Sequence, residues 1–394
     1  METRSEPAKK LNIAMVCDPI EYTAGSIVST LHFSKRLAEN GHKVILVAAK
    51  SPYASGDVNG IKTYRFRSVL VPKTEGKFYL ALPTVSEAKK VLLDEKIDIL
   101  HLILPVGASF SFIKAAKSLG IKIVIHSHTQ SENIFLFIPK MLGRRVLSRI
   151  FDAYLARVYT NANILICPTE FAKKNSPRVR DDIKYEIISN GVDTAHFMPQ
   201  DPTLFFKKYH LPLTGKKILF LGRLHPEKNI ETLIGAVPKL LKQYPEIKVL
   251  IAGEGNQKNK LQKLANNLGV SDTIIFLGRI SEDDLVFVYN SCDIFVLPSI
   301  AELEGIAVLE AMACGKPILI ADSPTSASKY FVDRNGLLFK PKDPKDLAEK
   351  ILTLLSDENA LKRMAQQSLE NSKRYDINQS VALLERLYYS VLYT

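Results

Sequence analysis

At 394 residues, 46% hydrophobic and 24% charged, the chain has a globular composition and room for two domains of ordinary size. It has no run of about 18 apolar residues, so no transmembrane helix is expected, and its N-terminal METRSEPAKK lacks the apolar core of a signal peptide. Residues 1–200 carry 28 Lys and Arg against 18 Asp and Glu, while residues 201–394 carry 25 against 23, so a basic first half asks for an anionic partner.

Leu11–Cys17 is a short apolar run suited to a buried parallel strand. A loop with Asp18-Pro19 and Thr23-Ala24-Gly25-Ser26 leads to a helix from about Ile27 to Asn40, which stops at Gly41. With Val44–Ala49 as the next strand, this is the βαβ opening of a doubly wound fold. Ile97–Leu104 and Ile121–Ile125 read as further strands, with a helix near Ser109–Leu119 between them. His126-Ser127-His128-Thr129 follows. Two His at i and i+2 could ligate a metal, but no Cys, Asp or Glu nearby completes a zinc set, so no metal is expected. Cys17, Cys167, Cys292 and Cys314 stand singly, as reduced thiols of a cytosolic protein would.

Phe135–Val158 predicts an amphipathic helix starting near Pro139. At about 100° per residue, Leu142, Val146, Leu147, Ile150, Phe151, Tyr154 and Val158 share one apolar arc. Lys140, Arg144, Arg145, Arg149 and Arg157 face a single acid, Asp152. Such a helix suits an interfacial contact with an anionic membrane, and an ordinary helix with a solvated basic face stands beside that reading. Ile164–Pro168 is another strand, and residues 196–215, with three prolines, read as a linker.

The pattern then restarts. Lys217–Leu221 reads as a strand followed by Gly222-Arg223-Leu224-His225-Pro226-Glu227-Lys228, and Ile230–Leu241 as a helix. Val249–Ala252 ends in Gly253-Glu254-Gly255, Ile274–Gly278 is a short strand, and Ser281 caps the helix that follows. Asp293–Leu297 is a strand closed by Pro298-Ser299. After it come Glu302, Glu304 and Gly305, and a helix that stops at Gly315 and Pro317. Ligands of a parallel sheet bind at the carboxyl ends of its strands, where this loop falls. The amides of Gly305, Ile306 and Ala307 at a helix start suit a phosphate, and Glu302 and Glu310 can accept bonds from sugar hydroxyls. An acidic first turn that only complements the helix dipole is the competing reading. Ile318–Ala321 and Gly336–Phe339 follow, and the chain ends in a helix near Gln379–Leu392.

The E-x7-E pattern of Glu302 and Glu310, followed by A-M-A-C-G-K-P, resembles the signature of the retaining family-4 glycosyltransferases of GT-B fold. The resemblance covers nearly the whole chain. It implies an α/β architecture of two Rossmann-like doubly wound domains facing a central cleft, with the last helix crossing back to the first domain. The acceptor domain would span 1–198 plus 377–394, and the nucleotide-sugar domain 199–376. By resemblance, Arg223 and Lys228 of G-R-L-x-x-E-K hold the donor diphosphate, Glu302 reads the donor sugar and Glu310 the ribose. Gly222, Gly253, Gly255 and Gly305 to Ala307 border the nucleotide, Gly25 faces donor phosphate and acceptor, and His128 aligns with the active-site His. The family usually carries Phe where this chain has Glu304, a departure typical of some lipid-directed members. The His128-Thr129 and Ile138-Pro139 segments, ahead of a basic helix, are similar to those of members that glucosylate diacylglycerol.

The resemblance therefore implies hexosyl transfer from a nucleotide sugar, most often UDP-linked, to a lipid acceptor. The enzyme would sit on the inner face of the cell membrane, peripheral and cytoplasmic. A soluble glycan or small alcohol is the alternative acceptor. No D-x-D is present, and two cations at the diphosphate leave no need of a metal cofactor. A dehydrogenase lacks its G-x-G-x-x-G here, and no nucleic-acid module appears, so nucleic acid is not an expected partner.

Overall fold

A computed structural model describes residues 9–21, 25–54, 56–71, 78–128, 144–177, 179 and 183–393. Of these, 9–128, 144–190 and 377–393 form one compact unit and 191–376 the other.

The first unit runs β1 (Asn12–Val16), α1 (Gly25–Glu39), β2 (Lys43–Ala49), β3 (Thr63–Phe66), β4 (Ser68–Leu70), β5 (Tyr79–Ala81), α2 (Val85–Asp94), β6 (Ile99–Leu102), α3 (Ser109–Leu119), β7 (Lys122–His126), α4 (Arg144–Tyr159), β8 (Ile164–Cys167), α5 (Glu170–Lys174) and β9 (Lys184–Ile187). Seven parallel strands form its sheet in the order β3-β2-β1-β6-β7-β8-β9, and β4 and β5 make a small antiparallel pair. β1 shows why these strands read as unbroken apolar runs. Ala14 and Val16 enter the core on one face, Ile13, Met15 and Cys17 the core on the other, so both sides of the pleat are buried.

The second unit runs α6 (Thr203–Lys208), β10 (Lys217–Leu221), α7 (Ile230–Leu241), β11 (Lys248–Ala252), α8 (Lys258–Asn267), β12 (Ile274–Gly278), α9 (Glu282–Asn290), β13 (Ile294–Leu297), β14 (Ala301–Glu302), α10 (Ile306–Ala313), β15 (Ile318–Ala321), β16 (Thr325–Ser326), β17 (Gly336–Phe339), α11 (Pro344–Leu355) and α12 (Glu358–Ser372). Its parallel sheet has the order β12-β11-β10-β13-β15-β17. In each unit the strand order reverses beside the first strand, at β1/β6 and at β10/β13, and doubly wound sheets bind ligands at such switch points.

The final helix, α13 (Ile377–Tyr393), belongs to the first unit. Its stripe of Ile377, Val381, Leu384, Leu387, Tyr388 and Val391 packs with Phe33 and Leu37 of α1 on one sheet face. Glu385 on the same helix reaches His42 Nε2 at 2.8 Å and Asn40 Nδ2 at 3.0 Å.

Several expectations need correction. Residues 196–215 are not a bare linker, because Phe197, Phe205 and Leu211 are buried in the second unit's core. Gly25 is not a loop residue but opens α1, its carbonyl accepting the Ser29 hydroxyl at 2.8 Å. Ser281 stands at the α9 N-cap, yet its hydroxyl donates to Asp284 at 2.7 Å instead of accepting from the backbone. Of the predicted apolar arc, Leu142 lies outside the described residues, Val158 is buried in the core and Phe151 and Tyr154 pack against it, whereas Val146 and Ile150 are 58% and 62% exposed. All four cysteines are buried and unpaired. Among the described residues no helix is long and apolar enough to cross a membrane.

Candidate functional site

The loops after β10, β11 and β13 of the second unit are tied to one another by backbone hydrogen bonds. Gly222 N donates to Ala252 O at 3.0 Å, Leu224 N to Glu254 O at 2.8 Å, and Gly253 N to Gly278 O at 2.7 Å. The approach is close because glycine is there. Gly253 has φ +129°, and a Cβ on it would lie 2.0 Å from Gly222 O. Gly255 is similarly crowded, 2.5 Å from Leu224 O to the place of its Cβ.

Pro226–Lys228 forms a short 3-10 turn after this contact. Ile300 N donates to Glu227 O at 2.7 Å, and Asn229 Nδ2 donates to Pro298 O at 3.3 Å. These bonds fasten the β10 loop to the β13 loop, and they bring Lys228 Nζ to Glu302 Oε1 at 2.5 Å. Lys228 and Glu302 keep side-chain exposures of only 16% and 13%, so the pair is largely shielded from water. Arg223 Nη2 lies 3.3 Å from Glu227 Oε1, with the Arg side chain 36% exposed. Lys228 and the first carboxylate of E-x7-E are therefore brought together across 74 residues of chain, while Arg223, on the same loop, faces Glu227.

Glu302 sits on β14, which pairs in parallel with β16. Gly305 follows at φ +106° as the N-cap of α10, and a Cβ there would fall 2.4 Å from Ser328 Oγ. Ser328 Oγ in turn donates to the Glu304 carbonyl at 2.7 Å, and Glu304 is buried. Ile306 and Ala307 occupy the first turn of α10, where backbone amides have no intrahelical acceptor. Glu310, one turn further on, is 7% exposed and accepts a bond from the Tyr289 hydroxyl. Burial pushes its carboxyl up from 4.5 to about 7, only partly offset by that bond. Tyr289 is a neighbour of Glu310 that the linear sequence did not single out, because nothing in α9 ties its position to Glu310.

In the first unit, His128 follows β7 and is partly buried. Its ring stacks on His126 with centroids 4.2 Å apart, and burial lowers its imidazole to about 4. Lys140 lies outside the described residues, as do the side chains of Arg144 and Arg145 in the first turn of α4, while Arg149 is exposed. Among the described residues no group of three His, Cys, Asp or Glu is placed to hold a metal.

Comparison with known proteins gives the family. The family model "Glycosyltransferase Family 4" matches residues 24–196, and "Glycosyl transferases group 1" matches residues 201–371. The chain is 27% identical over 361 residues to an uncharacterised glycosyltransferase of Methanocaldococcus jannaschii, covering 88% of this chain and 90% of that one. It is 28% identical over 246 residues to the alpha-monoglucosyldiacylglycerol synthase of Streptococcus pneumoniae, covering 61% and 55%. The crystal structure of Anabaena HepE in complex with UDP-glucose superposes with a TM-score of 0.76 at 17% identity, covering 96% of this chain and 100% of that one, a likeness of fold. With both halves of the chain matched in turn and the fold shared from end to end, this protein belongs to the family-4 glycosyltransferases of GT-B fold.

Proposed function

We propose that the chain transfers a hexose, most simply from UDP-glucose, to a membrane lipid such as diacylglycerol, with retention at the anomeric carbon. The observation that carries the donor half is the Lys228–Glu302 pair, with Arg223 on the Lys228 loop and Glu302 three residues ahead of the Gly305 cap of α10. Breaking the glycosidic bond of a nucleotide sugar builds negative charge on the departing diphosphate. Arg223 and Lys228 offer two cations to it, and one preorganised donor of this kind is worth roughly 2.7–4 kcal/mol. A helix terminus adds about 0.3–1 kcal/mol, so the two side chains dominate. When the diphosphate takes Lys228, Glu302 is released to accept from sugar hydroxyls, and Glu310 accepts from the ribose. Gly222, Gly253 and Gly255 let the backbone approach the nucleotide, Gly25 faces the acceptor side, Glu304 shapes the donor site from beneath, and His128 contacts the donor sugar. No metal cofactor enters this scheme.

The lipid half rests on α4. Val146, Leu147 and Ile150 are exposed beside the exposed Arg149, in the basic half of the chain. Exposed apolar side chains next to cations suit an anionic membrane surface, and the S. pneumoniae relative carries a glycolipid synthase's name. A soluble glycan or small alcohol needs neither feature. The test is to supply the purified protein with each UDP- and GDP-sugar and total membrane lipid, and to separate products by chromatography. A sugar-bearing lipid formed from one UDP-hexose supports the reading. Turnover only with soluble acceptors overturns the lipid half, and turnover only with GDP-sugars the donor half.

A further inference from the structure

Three histidines of the first unit lie in a row. His101 on β6 pairs in register with Val124, so His126 is two residues further along the neighbouring strand and on the same face. The His101 and His126 rings are stacked with centroids 5.6 Å apart and planes 12° apart, and His126 and His128 stack at 4.2 Å and 24°. At the inner end, the Tyr388 hydroxyl of α13 is 2.6 Å from His101 Nδ1 and meets the ring edge-on. Phe33 of α1 flanks His126 at 6.1 Å. The row thus runs from the buried C-terminal helix to the carboxyl edge of the sheet, where doubly wound units bind ligands.

Packing alone does not account for it. His101 and His126 are both 0% exposed. Both ring nitrogens of His126 and Nε2 of His101 have no hydrogen-bond partner among the described residues. Buried polar atoms without partners are costly, and an aliphatic side chain would avoid that cost. Nor is the row a proton wire. The rings meet by their faces, no N–H···N contact links them, and His126 can hand a proton to neither neighbour. Face-to-face stacking also turns the in-plane lone pairs away from any shared point, as a metal site would not. What stacked flat rings do supply is orientation: each fixes the plane of the next.

We propose that His126 and His101, anchored by Tyr388, are positioning residues that fix the ring plane of His128 toward the reacting sugar. The inference rests on the role of His128 in the proposed function. A displacement of about 1 Å at a reacting group can lower turnover on the order of 100-fold.

The test compares His126→Leu, which removes the flat ring, with His126→Phe, which restores one, against wild type and His128→Ala. Each is measured for kcat, thermal midpoint and UDP binding by calorimetry. His126→Leu should lower kcat by about 10- to 100-fold, with folding intact and UDP binding unchanged, since the proposed UDP ligands belong to the second unit. His126→Phe should recover most of that loss. A folded His126→Leu with wild-type kcat, or a His126→Phe no better than it, overturns the inference while an inactive His128→Ala leaves the functional reading standing. A fully active His128→Ala overturns the role given to His128, and the inference with it. If either His126 variant fails to fold, Tyr388→Phe removes a single oxygen from the row: a kcat at least threefold lower supports the inference, and an unchanged kcat overturns it.

Discussion

Glu310→Gln separates what a buried carboxylate costs the fold from what it does for a ligand. Glu310 lies in the stretch of α10 that is buried from Val308 to Ala313, with the Tyr289 hydroxyl as its donor. Its carboxyl is displaced upward from 4.5 to about 7, chiefly by burial. The folded protein therefore keeps a proton here that the unfolded chain releases above about pH 4.5. Stability from this group is fully present below the unfolded value and is lost as the pH rises toward 7. At about 1.4 kcal/mol per unit, the displacement is worth about 3 kcal/mol. Gln keeps the shape and the acceptor for Tyr289 but cannot ionise. The variant should match wild type near pH 4.5 and exceed it by up to about 3 kcal/mol at pH 8. The chain has no Trp, so urea unfolding is best followed by circular dichroism. A stability gap of constant size between pH 5 and pH 8 refutes the reasoning. The same carboxylate gives a binding test. If ribose hydroxyls need the ionised form, uridine, which carries no phosphate to titrate, should bind about tenfold more weakly one unit below pH 7 than well above it. In Glu310→Gln, binding should be weaker throughout and flat with pH.

Other perturbations test the remaining parts. Arg223→Ala should cut kcat by roughly 10²–10³ with the fold intact; retention of more than half the activity would show that the diphosphate is held elsewhere. Glu302→Ala should weaken UDP-sugar binding and leave UDP binding unchanged or tighter, because Lys228 loses its 2.5 Å partner; calorimetry in which UDP also weakens would contradict this. Gly253→Ala forces a Cβ toward the Gly222 carbonyl at 2.0 Å from a positive φ, a conformation that costs about 1–3 kcal/mol before the clash is counted, and unfolding that matches wild type would remove the close approach as a constraint. Arg144, Arg145 and Arg149 changed together to Ser should release the protein from phosphatidylglycerol vesicles, since each basic residue near an anionic surface is worth about 1 kcal/mol; equal pelleting of wild type and variant, or equal pelleting with neutral lipid, refutes membrane docking through α4.

The elements legible in the sequence are those buried on both sides. β13 and β15 are apolar throughout, and β1, β2 and β10 are apolar after their first residue, because helices cover each face of a parallel sheet. The elements that escaped are half wet. β3 and β9 lie at the edges of their sheet and are only partly buried, so TYRF and KYEI show no apolar run. α8 buries only Leu261 and Ala265, and its sequence KNKLQKLANN gives a weak period. The candidate site is named as residue types by the G-R-L-x-x-E-K and E-x7-E patterns, but its pairings are not. Lys228 meets Glu302, Glu310 meets Tyr289, and His101 meets Tyr388 across 74, 21 and 287 residues of chain. Contacts so distant are decided by topology, and local pattern carries no trace of them.

The two glutamates of E-x7-E show how far placement outweighs residue type. They flank the start of α10, Glu302 before it and Glu310 more than a turn inside it, and they meet opposite partners. Glu302 precedes the helix on β14, where the Glu227–Ile300 bond swings Lys228 against it, so its charge is matched by a cation. Glu310 lies on the helix's inner side, meets the neutral hydroxyl of Tyr289, and is driven toward its protonated form. A carboxylate already matched by a cation exchanges partners when an anion such as a diphosphate arrives, and little net charge is moved. A carboxyl pushed up to about 7 is protonated for about half the time at neutral pH, and it must lose that proton to accept strong bonds from hydroxyls. On the proposed assignment the first arrangement would report on the phosphates and the second on the ribose, and the pH dependence of uridine binding tests the second because it involves no phosphate at all.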